Sequence, residues 1–485
     1  MSTKTAFRTA LIAGVSLLAT AGAAAAQTAP PATPEEAAAR IAALEAQLAT
    51  LQQQVADLKA ATAASFKDVR TVQAAAPTVS LANGKPTITS SDGAFSANIH
   101  ALMQLDAAQY YQDKGLPPVI GNARDLNSGT NFRRARLGVD GKFYKNFDYS
   151  ILFEFGGAGT DGPGSLQELW VQYNYAPFKV KVGAFIPSLG LEDSAPVAGQ
   201  MFPERPAPSE LARNLAGADK RIAAQLQAVG ERWLISGAVT GAKTGDGQTF
   251  DEQLGYLGRL VYVPIKNQDW LVHVGANASV VVTPAQAAVG GNYPITFTER
   301  PELRVDGAQL ISSGAIDALG AHHYGVEGAV QRKNLMVQGE YFDLGIDRRN
   351  PGTGVTNPKF KAWYVEGSWV LTGEARRYTP NFVFDAPTVA KPFDPKKGQW
   401  GAWEIAARYS VSDLNYHENA TVVGDRVRGG DQKITSVGLN WFPNPVTKFS
   451  LSYYDVSLDR LDPAGGPVPL SQDYQVINLR SQYAF

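Results

Sequence analysis

The chain has 485 residues, no cysteine, and a formal net charge of −1 at pH 7. The missing thiols exclude a disulfide framework and a thiolate metal site, and the near-neutral balance excludes a globally basic surface for nucleic acid. The 47 Gly and the excess of Tyr and Phe over Met suit a β-barrel with aromatics outside and a Gly-rich polar interior, or a Gly-rich soluble β-protein.

Residues 1–26 read as a secretory leader: Lys4 and Arg8 are the basic start, Leu11 to Ala19 the apolar stretch, and Ala23 to Ala26 small residues before Gln27. After a short mature segment, 27–34, no run of about 18 apolar residues occurs, so helical membrane spans are excluded. Residues 35–73 carry Ile41, Leu44, Leu48, Leu51, Val55 and Leu58 at alternating three- and four-residue spacing. That is the seam of a left-handed coiled coil, with Arg40 and Glu45 at g and e positions, and it predicts a homo-oligomer. Such a stalk extends roughly 55–60 Å if helical throughout, and fraying is expected near Thr62 and Ser65. A linker at 74–94, with Pro77 and Pro86, follows.

From residue 95 to 485 the hydrophobic period becomes two. Phe147, Tyr149, Ile151, Phe153 and Phe155 alternate with Asp148, Ser150, Leu152, Glu154 and Gly156, and 401–411 repeats the pattern around Glu404 and Arg408. One face apolar with aromatic ends and the other charged predicts an all-β transmembrane barrel rather than a soluble sandwich. Short turns flanked by rings (Tyr144 to Phe147, Tyr175 to Phe178, Trp441 to Pro445) belong at one membrane surface, and long Gly- and Asp-rich loops (112–130, 156–165, 242–252, 459–472) at the other. Seventeen segments look strand-like; the weakest, Glu299 to Val305, contains Pro301 and is read as loop, leaving about sixteen antiparallel strands. Ile477, Leu479, Tyr483 and Phe485 lie on one face of the last strand, the form of signal read by barrel-assembly machinery.

Segments 187–219, 283–321 and 373–399 are too long for their places and are expected to fold into the lumen, where irregular backbone is tolerated at membrane depth. Their cations include Arg205, Arg213, Arg300, Arg304, Arg376 and Arg377, and strand parity adds Arg134, Arg136, Lys142, Lys179, Lys181, Arg221, Arg259 and Arg408. Such a basic path would attract anions in a low-dielectric wall. The acidic neighbours Glu192, Asp193, Glu204, Asp219, Glu299, Glu302 and Asp306 offer a plainer role for the same cations: salt bridges that hold the loops in.

No catalytic, cofactor or metal pattern survives inspection, so an enzyme is not expected. Gly157 to Gly162 spells a dinucleotide fingerprint but leads into a strand, His417-Glu418 lacks a second zinc histidine, and His322-His323 precedes a strand.

Several runs resemble the phosphate-selective porins O and P of Gram-negative bacteria: Phe132-Arg133-Arg134-Ala135-Arg136-Leu137-Gly138, Gly258-Arg259-Leu260 to Pro264, Tyr364 to Trp369 with Leu371 to Glu374, Trp400 to Glu404 with Ala407 to Ser410, and Asn440-Trp441-Phe442. The resemblance implies a sixteen-stranded barrel, usually trimeric, with two external loops and one periplasmic turn inside the pore and a ladder of lumen arginines leading to an anion site. It places the chain in the outer membrane, among lipid and lipopolysaccharide, with the stalk in the periplasm and within reach of peptidoglycan. Anion or phosphate diffusion is then the expected function; the alternatives are a porin of broad specificity and a barrel whose stalk mainly tethers the envelope.

Overall fold

The computed structural model describes residues 33–81, 84–115, 125–157, 164–247, 251–287, 290–464 and 470–485. The expected leader lies outside the described residues, as do most of 27–34 and the tips of the four long loops named above.

Two units form. Among its described residues the first contains one helix, α1 (Pro34–Ala75), opened by a reciprocal capping box in which Thr33 Oγ1 accepts from Glu36 N at 3.4 Å and Glu36 Oε2 accepts from Thr33 N at 3.2 Å. It continues unbroken through Thr62 and Ser65, because the surrounding Ala60, Ala61, Ala63 and Ala64 favour helix strongly enough to offset the polar interruptions. All six seam residues stay exposed along it.

The second unit is a closed antiparallel barrel. Its strands, among the described residues, are β1 (Ser96–Gln112), β2 (Gly129–Phe143), β3 (Phe147–Glu154), β4 (Ser165–Tyr175), β5 (Phe178–Phe185), β6 (Arg221–Val229), β7 (Trp233–Lys243), β8 (Leu254–Lys266), β9 (Trp270–Thr283), β10 (Ile316–Arg332), β11 (Leu335–Arg348), β12 (Lys359–Val370), β13 (Ala402–Tyr416), β14 (Val427–Asn444), β15 (Thr447–Asp459) and β16 (Gln472–Ala484). Each pairs with its sequence neighbours, and β16 pairs with β1 from Tyr474↔Gln112 to Ala484↔Leu102, so no edge is left open. The doubtful segment near Glu299 contributes a two-residue strand, Thr298–Glu299, that pairs with Ile311–Ser312 and not with the wall, in keeping with its reading as loop. In the expected linker, Thr78–Ser80 pairs with Thr87–Thr89, which in turn lies on the first residues of β1.

Period-two alternation sets which side chains face out. Along β13, Ala402, Glu404, Ala406, Arg408 and Ser410 are buried, whereas Ile405, Ala407 and Tyr409 are exposed. Rings gather at the short-turn rim: Phe143 stacks on Phe147 at 4.9 Å between centroids, Trp403 on Trp441 at 5.5 Å, and Trp441 on Phe449 at 5.6 Å. Phe485 closes the ladder there, exchanging backbone hydrogen bonds with Ala101 at 3.0 and 3.1 Å.

The three anomalous segments do enter the barrel. The first contains α2 (Ala207–Ala216), buried at every described position except Asn214, and it touches strands on several sides of the wall. Leu191, Met201, Phe202, Leu211, Phe297, Leu303 and Ile311 from the first two segments pack on inward Phe342, Phe360, Tyr364, Tyr454 and Tyr474, so the apolar core sits inside the cylinder. Segment 373–399 starts from the short-turn rim and forms a small hairpin, Arg376–Tyr378 with Phe384–Pro387.

Irregular backbone at this depth needs hydrogen-bond partners, and the wall supplies them. Gly199 O accepts from Arg376 at 2.7 Å, Gln200 O from Lys448 at 2.6 Å, Met201 O from Asn440 at 2.9 Å, Pro203 O from Arg480, and Glu204 O from Arg408 at 3.0 Å. The Glu204 carboxylate is the hub: Arg133 holds both oxygens at 2.7 and 2.9 Å, Arg480 lies at 2.9 Å, Arg134 at 3.3 Å and Arg304 at 3.6 Å. Glu204→Gln leaves these guanidiniums with no central countercharge. The expected loss is about 3–5 kcal/mol of barrel stability, read by urea unfolding in lipid vesicles, with new trypsin cleavage after Arg213 in the folded barrel.

Candidate pore and its lining

Among the described residues, two cavities between the inserted segments and the wall carry most of the expected cations that remain near open volume. The larger, about 1070 Å³, lies at the short-turn end and is lined on the wall side by His100, Arg136, Glu168, Trp170, Lys179, Lys181 and Lys448, and on the inserted side by Asp193, Arg205, Arg377 and Asp385. The smaller, about 560 Å³, lies at the long-loop end against Glu210, Arg213, Asp219, Lys220, Lys243, Glu299, Arg300 and Arg304. The period of the strands delivers the wall residues: Lys179 and Lys181 are alternate residues of β5 and share its inner face, beside Gln225 and Gln227 of β6.

In the larger cavity Lys181 Nζ sits 4.1 Å from the centre of the Trp170 ring and 5.2 Å from that of Phe185. It makes no ion pair among the described residues, so its charge faces the cavity over aromatic faces. Arg377 pairs with Asp385 but stays largely exposed. Arg136 is held to Glu154 at 2.6 Å. Arg205 donates to Glu192 O and Asp193 O at 3.4 and 3.3 Å. In the smaller cavity Arg300 donates to Gly307 O at 3.0 Å, and Arg304 reaches Glu204, Glu210 and Glu299 at 3.6, 3.4 and 3.8 Å.

The remaining expected cations lie away from both cavities. Arg259 is wholly buried against Glu327 at 2.8 Å and donates to Asn381 O and Phe382 O, pinning the tip of the inserted turn. Arg376 is fixed on Glu404 at 2.7 and 2.8 Å, and Arg408 lies between Glu366 and Glu302, at 2.9 Å from each, over the Phe202 ring. Arg221 is spent on Gly217 O and Gly241 O, and Arg134 on Gln104 and Glu204. Lys142 is exposed at the rim, 4.0 Å from Asp148.

Sequence parity missed several inward cations. Arg480 grips Asp106 at 2.5 and 2.6 Å; its position opposite the outward Leu479 and Ile477 was the available signal. Lys448 likewise shares a face with Ser450 and Ser452 of β15. Arg133 was not accessible to parity, because the β1–β2 register slips between Gln104↔Arg134 and Leu105↔Phe132. That bulge brings two consecutive arginines to one carboxylate.

The family described as "Phosphate-selective porin O and P" matches residues 99–485. Porin O of Pseudomonas aeruginosa is 26% identical over 425 residues, covering 82% of this chain and 90% of the relative; an uncharacterized protein of Caulobacter vibrioides is 28% identical over 390 residues, covering 78% and 72%. Among solved structures, the anion-selective porin from Comamonas acidovorans aligns with a TM-score of 0.48 at 11% identity, over 81% of this chain and all of that one. OmpT of Vibrio cholerae aligns with a TM-score of 0.48 at 10% identity, over 81% and 98%. The family match covers the barrel from Ile99 in β1 to Phe485, and the chain therefore belongs to the phosphate-selective porin O and P family, as an outer-membrane porin.

Proposed function

We propose that the barrel conducts anions passively, phosphate and phosphorylated solutes foremost. The observation that carries this reading is the sign of both cavities. Among the described residues the larger is lined by seven Lys or Arg against three Asp or Glu, and the smaller by five against three, although the whole chain is at −1. Cations in a low-dielectric cylinder raise the local anion concentration, and guanidiniums match phosphate oxygens bidentately. The family's description as phosphate-selective points the same way.

A second reading, a pore of broad specificity, draws on one particular fact: Arg259, Arg376 and Arg408 are consumed by carboxylates and loop carbonyls and offer no continuous ladder. Planar-bilayer recording separates the two. The anion reading expects a chloride-selective reversal potential in a potassium chloride gradient and a chloride current depressed by millimolar phosphate; a cation-selective potential overturns it. Reversing the free face of β5 with Lys179→Glu and Lys181→Glu together is expected to lower the anion-to-cation permeability ratio by about tenfold, with the barrel still folded.

The α1 seam, whose six apolar residues stand exposed on the helix, supports assembly into a trimer in which sister helices would cover them. On this reading the stalk hangs in the periplasm near peptidoglycan, while the barrel contacts lipid and lipopolysaccharide and its outward Ile477, Leu479, Tyr483 and Phe485 serve recognition by the assembly machinery. Leu48→Asp with Leu51→Asp is expected to reduce chemically cross-linked trimer of the full chain while leaving monomer conductance intact. Unchanged cross-linking would remove the coiled coil from the account.

A further inference from the structure

A third pocket lies at the long-loop end and shares no lining residue with either cavity. It holds about 210 Å³ between three connections: residues 312–314 of the second inserted segment, 423–428 leading into β14, and 460–464 beyond β15. Three guanidiniums, those of Arg426, Arg428 and Arg460, line it together with Ser312 and Ser313, and no Asp or Glu does so among the described residues.

These arginines are anchored differently from those of the wall. Arg376, Arg408 and Arg480 hold loop carbonyls, but each is also balanced by a carboxylate. Arg460 instead donates to Leu310 O at 2.7 Å, Arg428 O at 3.2 Å and Ser312 O at 3.4 Å. Arg428 donates to Asp462 O at 2.8 Å and Glu418 O at 3.0 Å, and Arg426 to the carbonyls of Ala420 and Thr421. Every one of these acceptors is a backbone carbonyl, which satisfies a donor without neutralising its charge. The carboxylates of Asp425 and Asp462, on the same loops, are committed elsewhere: Asp425 to His417 and Thr356, and Asp462 Oδ1 to Ala464 N at 2.8 Å. Arg426 Nη1, Arg428 Nη2 and the Ser312 hydroxyl hydrogen meet no acceptor among the described residues. Gly430, at φ +100°, makes room for this crowding, since a Cβ there would meet Ile311 at 3.2 Å and the Arg460 stem at 3.3 Å.

We propose that this pocket binds one small tetrahedral oxyanion, such as inorganic phosphate, as a counterion that clasps the three connections together away from the two cavities. Three positive charges held by neutral carbonyls lack a partner of opposite sign, and planar guanidiniums fit the oxygens of such an ion in pairs. The volume admits one phosphate with a few waters, and it is too small for the sugar and acyl body of a lipopolysaccharide. An ion seated here bonds at once to residues anchored on the second inserted segment, on the β13–β14 loop and on the β15–β16 loop. Binding therefore tightens all three connections, and the site does not depend on the anion reading of the pore.

The test is amide hydrogen exchange of the full chain in vesicles free of lipopolysaccharide, with millimolar inorganic phosphate against chloride of equal ionic strength. Exchange across residues 418–428 and 310–314 is expected to slow by about tenfold in phosphate. Arg428→Gln is expected to bring that ratio to within about twofold of unity, whatever its exchange in chloride. Where Arg428→Gln does not fold, Arg426→Gln, whose anchors lie within its own loop, is judged by the same loss. Lys179→Glu with Lys181→Glu is expected to keep the full ratio, because those lysines line the larger cavity and not this pocket. Equal exchange of wild type in phosphate and chloride overturns the site, as does full protection surviving in the folded Arg428→Gln barrel. Loss of protection in the double lysine variant assigns the effect to the pore and overturns it as well. Protection by added lipopolysaccharide but not by inorganic phosphate overturns the small free oxyanion as its occupant.

Discussion

Everything inside this barrel depends on how the carbonyls of residues 199–204 are satisfied. A chain that leaves the wall and crosses the lumen without helix or strand hydrogen bonds carries polar groups into a low-dielectric interior, where an unpaired carbonyl is costly. Here the wall answers with donors from β13 to β16 and from the inserted turn, several of them arginines with donors to spare. Because each guanidinium also takes a carboxylate, the same cations that hold the loop are balanced electrically. Arg376 with Glu404, Arg408 with Glu366 and Glu302, and Arg480 with Asp106 and Glu204 are all of this kind.

This arrangement divides the lumen. Against β9 to β16 the inserted segments make a packed core of Leu, Phe and Tyr; against β2 to β7 they leave open volume faced by residues such as Lys179, Lys181, Gln225 and Lys243. A barrel of this circumference would otherwise hold a wide water channel. Filling one side makes the other narrow and places fixed charges within reach of a small ion. On the anion reading proposed above, selectivity in such a space comes from the few cations that the packing does not consume. Those are mainly lysines, a compact charge on a flexible stem, while the arginines, whose planar fork suits several acceptors at once, are drawn into the framework.

The candidate site was therefore legible in type but not in assignment. Reading Arg259 and Arg408 as inward-facing needs only alternation, reading Arg376 so needs only the excess length of its segment, and the burial of all three agrees with that. What alternation does not carry is the identity of the partner. Glu327 lies 68 residues from Arg259, and Glu204 lies 276 residues from Arg480. Nor does it carry the bulge beside Arg133, since a register slip between two strands is a property of the pair and not of either sequence.

By itself the sequence determined the helix with its heptad seam, the strands with their greasy and polar faces, the aromatic rim and the three segments too long to be turns. Each of these follows from local periodicity, spacing or turn chemistry, which act over a few residues. Only the tertiary structure decided which cations remain free. That outcome depends on where the inserted segments come to rest, and their resting place is fixed by carbonyls, carboxylates and apolar side chains brought together from opposite ends of the chain.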